Sequence, residues 1–337
     1  IIKFRVCERL LRMTDGPPVC WVLSDGKAGT ENQCLGLADA LGLPYVVHRL
    51  QRRPATDWLP APFWAATGTL ARSWAATAPD VHPPWPRLLI AAGRPSVGPA
   101  LAVRRAARGA TTAIQIQDPR INPAHFDFVI PPRHDGLTGP NVVATLGAMH
   151  RVTPAKLATA ATQWGARFAA LPEPRIAVLV GGTSKHHRMT RAVAQRIGET
   201  LRALCASTGG SLMVTASRRT DPESQAALQA ALNGVPTDFW DGAGDNPYLG
   251  MLAMADGIVV TEDSVTMASE AASTGKPVFI AKMAGRAETF EHFHTELEAR
   301  GISRPLTGAW ATWTYPPLHE AARVAAEIRQ RVTLPTA

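Results

Sequence analysis

Residues 257–280 read GIVVTEDSVTMASEAASTGKPVFI, and this stretch decides the fold. Residues 257–261 are apolar or β-branched and indicate a buried strand, residues 265–274 indicate a helix, and residues 277–280 indicate a second strand. Gly275 stands where the helix must end, because glycine readily adopts the left-handed conformation found after a helix C-terminus. A strand, a helix and a strand in such close succession are typical of a parallel α/β unit.

The same alternation extends outward on both sides of this stretch. It is interrupted once, at Leu171-Pro172-Glu173-Pro174, which has the composition of a linker. We therefore expect an α/β protein with two Rossmann-like parallel-sheet domains, at residues 13–172 and 173–305. A helical segment at 306–337 is expected to pack back on the first domain. Further strands are predicted at 19–23, 45–47, 87–92, 112–116, 126–130, 175–180, 211–215 and 237–240.

Composition and charge narrow the classes of partner. The chain has 337 residues with a formal net charge of +8, of which +6 falls in residues 1–150 and +2 in the remainder. A basic surface suits a phosphorylated small molecule or an anionic membrane. Nucleic acid is disfavoured, because no helix-turn-helix, RNP or zinc-finger spacing occurs. The sequence contains no run of 18 apolar residues, so we expect no transmembrane helix.

The cysteines and the N-terminus bear on location. The four cysteines form no C-x-x-C pair and no disulfide framework, which favours a reducing compartment. Residues 1–12 mix charged with apolar residues and do not resemble a signal peptide, so we expect the native chain to start at Met13. The expected location is the cytoplasm, with peripheral contact at the inner membrane left open.

Ligands of open parallel sheets bind beyond the carboxyl ends of the strands. In the second half these ends carry glycines, hydroxyls, basic side chains and an aromatic ring. The loop 181–185 suits a phosphate, because small residues let backbone N–H groups approach and Lys185 adds charge. Arg218 and Arg219 could bind phosphate oxygens, or they could be a solvated pair on the surface. The candidate donor-binding residues in these loops are Gly181, Gly182, Thr183, Ser184, Lys185, Ser217, Arg218, Arg219 and Trp240.

The start of the helix at 265 is the strongest candidate. Either Asp263 or Ser264 caps it, and its free N–H groups and dipole then favour a phosphate. Thr266 and Glu270 share one face, because they are four residues apart. A carboxylate such as Glu270 can accept from both hydroxyls of a ribose. The alternative interpretation is a well-capped helix with an exposed glutamate.

The first half offers two carboxylates at strand ends. Asp25, followed by Lys27 in SDGKAG, could act as a general base on a hydroxyl, or Lys27 could pair with it and leave it inert. Asp118 in QDPR is the second candidate. No G-x-G-x-x-G follows a strand, so a dinucleotide is disfavoured. The histidines match no metal-binding spacing, and we expect neither a metal site nor a cofactor.

Residues 261–278 resemble the donor-site signature of GT-B glycosyltransferases, in which a capped helix holds the diphosphate and a downstream glutamate holds the ribose. The resemblance implies two parallel-sheet domains facing a cleft. It implies that Glu270 binds the ribose, that Ser264 and Thr266 lie near the diphosphate, and that Trp240 and Asp241 lie near the base.

A narrower resemblance covers most of residues 19–305 and is carried by the strings SDGK with NQ (residues 24–33), QDPR (117–120), FD (126–127), GG (181–182), SRRT (217–220) and NPY (246–248). With these strings the chain resembles the elongated-mitochondria (ELM) fission-factor family. Plant members are linked to mitochondrial fission through recruitment of a dynamin-related protein, and bacterial relatives are regarded as cell-envelope glycosyltransferases. The sequence shows neither a mitochondrial targeting pattern nor an adaptor extension, so we expect the bacterial type.

These observations favour metal-independent transfer of a sugar from a nucleotide-sugar co-substrate to a hydroxyl acceptor, a cell-envelope glycan or a lipid-linked molecule. The Trp- and Pro-rich residues 58–64 could rest on an anionic membrane or form an internal packing loop. Two alternatives to the transferase stay open: a nucleotide-sugar 2-epimerase of the same fold, and a non-catalytic adaptor.

Overall fold

The computed structural model describes residues 19–50 and 81–333. The chain divides into two compact units. Unit 1 contains the residues up to Thr145 and those from Ala321 onward, and unit 2 contains Leu146–Glu320. Two features of the sequence analysis, residues 1–12 and the Trp- and Pro-rich residues 58–64, lie outside the described residues.

The N-terminal part of unit 1 alternates strands with helices: β1 (Cys20–Ser24), α1 (Ala28–Leu41), β2 (Tyr45–Arg49), β3 (Leu88–Ala92), α2 (Arg94–Ala106), β4 (Thr112–Ile116) and β5 (Phe128–Ile130). The five strands form a parallel sheet in the order β2-β1-β3-β4-β5. Every residue of β1 and β3 is buried, as expected for central strands of a parallel sheet covered on both faces.

Unit 2 repeats this plan with α3 (Pro154–Phe168), β6 (Arg175–Val180), β7 (His187–Arg188), α4 (Arg191–Thr208), β8 (Ser211–Ala216), α5 (Pro222–Ala231), β9 (Thr237–Trp240), α6 (Tyr248–Met254), β10 (Gly257–Thr261), α7 (Val265–Ala272), β11 (Val278–Ala281), β12 (Ala284–Gly285), α8 (Glu288–Ala299) and β13 (Ser303–Pro305). Its six-stranded parallel sheet has the order β13-β11-β10-β6-β8-β9, while β7 and β12 form a separate antiparallel pair. The predicted alternation and the α/β fold class are confirmed.

The units divide at residue 145, whereas the sequence prediction divides the chain at residue 172. The difference concerns α3, which packs within unit 2. Phe168 is fully buried in the core that contains Leu146 and Val152. Trp164 lies so close to Gly250 of α6 that a β-carbon at residue 250 would come within 2.5 Å of its side chain. The linker composition at 171–174 therefore marks a turn inside unit 2.

The C-terminal helix α9 (Glu320–Arg331) belongs to unit 1 from residue 321 onward. Its arginines bond to backbone carbonyls of that unit, with Arg323 Nη2 2.7 Å from the Ala144 oxygen and Arg329 Nη2 2.8 Å from the Ala40 oxygen. Among the described residues, no helix combines the length and the apolar character needed to cross a membrane.

Candidate functional site

The carboxyl ends of β10, β6 and β8 lie side by side in unit 2, because these strands are neighbours in the sheet. Three predicted segments follow these ends: residues 262–264 after β10, residues 181–185 after β6 and residues 217–219 after β8. The sheet therefore brings together most of the residues predicted to bind a donor.

Asp263 joins the three segments. Its side chain is 0% exposed and is surrounded by donors. Gly182 N donates to Oδ2 at 3.0 Å, Thr261 Oγ1 donates to Oδ1 at 2.7 Å, and Arg219 Nη2 lies 2.8 Å from Oδ2. A buried carboxylate requires such partners, because leaving water is costly for a charge. Asp263 thus connects β10 to the segments after β6 and β8.

The glycines after β6 allow this close approach. A β-carbon on Gly181 would lie 2.1 Å from Asp263 Oδ1, and one on Gly182 would lie 2.2 Å from the Arg219 carbonyl oxygen. Neither position has room for a side chain. The two glycines are therefore explained by loop packing around Asp263.

The N–H groups of residues 181–184 are already bonded within the protein, which differs from the sequence interpretation that they approach a phosphate. Packing of this loop against its neighbours uses the donors that a phosphate would need. In the loops 181–185 and 217–219, the exposed side chains of Lys185 and Arg218 remain candidates for phosphate binding. The internal bonds run from Gly181 N to Thr261 Oγ1 (2.7 Å), Gly182 N to Asp263 Oδ2 (3.0 Å), Thr183 N to the Arg219 oxygen (3.2 Å) and Ser184 N to the His187 oxygen (2.8 Å).

The start of α7 keeps the features of an anion site. Ser264 is its N-cap, with Oγ accepting from Met267 N at 3.3 Å, so the structure selects Ser264 over Asp263 as the capping residue. The first N–H groups of a helix have no partner within the helix. Together with the helix dipole they favour negative charge. Thr266 lies in this first turn and is partly exposed.

Glu270 lies one turn further along α7 and is paired with Tyr248, the first residue of α6. The Tyr248 hydroxyl donates to Glu270 Oε2. Burial raises the pKa of Glu270 to about 7, against the lowering effect of the Tyr248 hydrogen bond. Burial also raises the pKa of Tyr248 well above its usual value. A carboxyl group that titrates near neutral pH can change its charge when a ligand brings new donors.

The remaining residue of the predicted donor set is Trp240, at the end of β9. Its ring Nε1 donates to the Ala243 oxygen at 2.8 Å, and Asp241 Oδ1 accepts from Ala243 N at 2.9 Å. These bonds form a closed turn at residues 240–243. Trp240 is thus held at the end of β9, the edge strand that pairs with β8.

Glu262 lies in a predicted strand-end loop, but the sequence analysis assigned it no role. Its side chain is 8% exposed and lies 2.9 Å from Lys282 Nζ, and Met283 N donates to its Oε1 at 2.5 Å. Tyr248 likewise had no assigned role. The only available signals were two consecutive carboxylates after a strand and an aromatic hydroxyl in the NPY string, and neither reveals a partner.

In unit 1, both candidate bases are occupied by basic neighbours. The side chain of Asp25 is 2% exposed, with Oδ2 2.7 Å from Lys27 Nζ and Oδ1 accepting from Lys27 N. This is the pairing that the sequence analysis held as one of two possibilities. Asp118 accepts from Arg120 N at 2.7 Å and lies 3.1 Å from Arg120 Nε. Gln117 has φ +70°, a left-handed conformation that is strained for a non-glycine residue.

Potential metal ligands and thiols complete the inventory. In the parts of the chain that the structure describes, no group of three or more His, Cys, Asp or Glu side chains could hold a metal ion. Cys34 is fully buried in α1, and burial raises the pKa of its thiol. This environment is that of a core cysteine rather than a nucleophile.

We predict that Asp263→Ala lowers the free energy of unfolding by about 2–4 kcal/mol, because it leaves the Gly182 N–H and the Thr261 hydroxyl buried without their acceptor. Urea unfolding followed by tryptophan fluorescence measures this loss. Asp245→Ala, at an exposed position of the same unit, is the control and should unfold as the wild type does. Equal midpoints for the two variants would contradict the role assigned to Asp263.

Comparison with solved structures identifies the fold. UDP-GlcNAc 2-epimerase from Methanocaldococcus jannaschii superposes with a TM-score of 0.54 at 10% identity, covering 93% of this chain and 99% of the epimerase. MurG from Acinetobacter baumannii superposes with a TM-score of 0.51 at 13% identity, covering 93% of this chain and 100% of MurG. These similarities show that the chain has the GT-B fold.

Sequence comparison then identifies the family. Mitochondrial fission protein ELM1 of Arabidopsis thaliana is 30% identical over 92% of this chain and 90% of its own length. An uncharacterized protein of Rickettsia prowazekii is 25% identical over 92% of this chain and 97% of its own length. The family model described as Mitochondrial fission ELM1 matches residues 28–332. The resemblance noted in the sequence is confirmed, and the chain belongs to the mitochondrial fission ELM1 family.

Proposed function

We propose that this protein is an enzyme that binds a nucleotide-sugar at the strand ends of unit 2 and transfers its sugar to a hydroxyl acceptor. The observation that carries the proposal is the arrangement on α7. A capped helix N-terminus suited to a diphosphate and a half-buried carboxyl group suited to a ribose lie one turn apart. The epimerase from Methanocaldococcus jannaschii, in a second structure with a TM-score of 0.50, is in complex with UDP-GlcNAc and UDP, which supports the class of donor.

The proposed donor site assigns a separate task to each segment. The diphosphate binds the first turn of α7, including Thr266, with Lys185 and Arg218 offsetting its charge. Glu270 accepts from the ribose hydroxyls, and the base lies near Trp240 and Asp241. As the sugar leaves, negative charge grows on the diphosphate, where preorganised donors lower the barrier most. The proposed reaction needs no metal, because the cationic side chains and the positive end of the helix dipole offset the charge of the diphosphate.

The proposed acceptor chemistry belongs to unit 1. Asp25 removes the proton from the acceptor hydroxyl, and Asp118 is the second candidate for this role. In the free protein Lys27 occupies the Asp25 carboxylate, but the lysine side chain is 66% exposed and can move into solvent when a hydroxyl replaces it. The acceptor class that we propose is a cell-envelope glycan or a lipid-linked hydroxyl, reached from the cytoplasmic side of the inner membrane.

We predict that one nucleotide class raises the thermal midpoint and that Glu270→Ala abolishes the shift. In a panel of UDP-, GDP-, CMP- and dTDP-linked sugars, the class that binds should raise the midpoint by about 4 °C at about 100 times its dissociation constant. Glu288→Ala, at an exposed position on α8, should respond as the wild type does. A flat response across the panel would count against the donor site and favour a non-catalytic adaptor.

We predict that donor affinity rises about tenfold between pH 6 and pH 8, because the ionised form of Glu270 accepts both ribose hydroxyls and its pKa is about 7. Tyr248→Phe removes a hydrogen bond that stabilises the ionised form, so the midpoint of this profile should move to higher pH. Calorimetric titrations at several pH values measure the midpoint. An identical profile in Tyr248→Phe would show that the pair does not control the ribose contact.

A nucleotide-sugar 2-epimerase is the second candidate function. It is favoured by the epimerase superposition, which covers nearly all of both chains. An epimerase needs the same donor site but no acceptor. Asp25 would then have no hydroxyl acceptor to activate, and its pairing with Lys27 would be permanent.

Product analysis separates the two enzymes. We predict that the donor identified by the thermal screen gives no epimer without an acceptor and that a lipid-linked hydroxyl acceptor receives the sugar. Asp25→Asn should abolish transfer while leaving donor affinity unchanged. A free epimer formed without any acceptor, at a rate unaffected by Asp25→Asn, would establish the epimerase instead.

A further inference from the structure

His294 is a buried residue of α8 that contacts Glu262, the first residue after β10. It is 7% exposed, and its Nε2 lies 2.8 Å from the carbonyl oxygen of Glu262. A carbonyl can only accept, so Nε2 carries the proton and donates. The other ring nitrogen, Nδ1, is buried and has no hydrogen-bond partner among the described residues.

The carbonyl that His294 holds lies immediately before Asp263 and Ser264. Glu262 is restrained on its other sides as well: its N–H donates to the Ala281 oxygen at 3.0 Å, and its carboxylate receives Met283 N and Lys282 Nζ. Asp263 is tied to the opposite loops, after β6 and β8. His294 is thus the restraint on the peptide that joins the two buried carboxylates, and this peptide leads directly into the cap of α7.

The surroundings of His294 favour an uncharged ring. The charged and titratable groups facing it are the Glu262 carboxylate after β10, the Lys282 ammonium after β11 and the His187 ring on β7. Phe290, also on α8, packs edge-on against the His187 ring at 5.1 Å between ring centroids. Burial is the main cause that lowers the pKa of His294. The hydrogen bond to the Glu262 carbonyl and the Glu262 carboxylate oppose this shift, and Lys282 and His187 add to it.

We propose that His294 is a positioning residue of the nucleotide-sugar site: in its neutral form it holds the Glu262–Asp263 peptide so that α7 presents its first turn to the diphosphate, and protonation releases that peptide. This inference rests on the proposed function for its ligand but not for its geometry. Protonation would put a second cation near Lys282 and turn Nδ1 into a buried donor without an acceptor, which is costly. Movement of the ring out of its pocket relieves both penalties and frees the Glu262 carbonyl.

Two substitutions separate the hydrogen bond from the charge. His294→Gln keeps an N–H donor but cannot be protonated in this range, whereas His294→Leu fills the space without a donor. His292→Gln is the matched control, because it lies on the same helix with a side chain that is 66% exposed. The probe is UDP-N-acetylglucosamine, whose diphosphate diester does not titrate between pH 5 and pH 8.

The first measurement needs no ligand. Hydrogen exchange of peptides covering residues 258–272 is followed by mass spectrometry at pH 7.5 in the full chain. We expect His294→Leu to exchange at least tenfold faster than the wild type in residues 262–267, while His294→Gln and His292→Gln stay within twofold of it. Equal exchange in His294→Leu and the wild type would overturn the proposal, because the imidazole would then not restrain the segment.

The second measurement is the pH dependence of UDP-N-acetylglucosamine binding. On acidification we expect the wild type and His292→Gln to lose affinity as the free protein takes up two protons, first on Glu270 and then on His294, whose pKa is lowered by burial. His294→Gln should lose affinity with the uptake of one proton. Identical slopes for the wild type and His294→Gln would overturn the protonation step. If no variant binds while His294→Leu still exchanges faster, the positioning role stands and the proposed function fails.

Discussion

The fully buried carboxylate of Asp263 is the constraint on which the carboxyl edge of the unit 2 sheet depends. A carboxylate removed from water is tolerated only where donors replace its hydration, and here they come from Gly182, Thr261 and Arg219. These donors lie at the carboxyl ends of three neighbouring strands. Satisfying one charge therefore sets the relative positions of three loops, and the glycines at 181 and 182 follow from it because a side chain at either position would collide with the cluster.

The two consecutive carboxylates act in opposite directions along the sheet. Asp263 connects β10 to the loops after β6 and β8, whereas Glu262 connects it to residues 282–283 after β11 and, through its carbonyl, to His294 on α8. The segment between β10 and α7 is thereby held from both sides. Such a segment has little freedom to move, so the first turn of α7 is already fixed in the free protein.

The sequence predicts the fold because apolar runs and helical spacing are local signals. The alternation around residues 257–280 and the edge shared by the loops at 181, 217 and 263 follow from parallel pairing alone. The role of Asp263 does not follow, because its partners Gly182 and Arg219 lie 81 and 44 positions away and nothing local indicates that the carboxylate points inward. The boundary at 172 differs from the structure for a related reason, since the packing of Trp164 on Gly250 is a long-range contact.

The contrast between carboxyl groups bears on whether the protein is an enzyme or an adaptor. Asp263 and Glu262 are satisfied by donors from the protein, so both are explained by structure. Glu270 is different, because burial raises its pKa to about 7 despite the hydrogen bond from Tyr248. Its charged form is thus under-compensated in the free protein. A docking role alone does not require a carboxyl group that is only partly compensated, one turn from a capped helix N-terminus, whereas a ribose with two vicinal hydroxyls would supply further donors. The cost at Glu270 therefore favours a ligand-binding function for this member of a family named for mitochondrial fission.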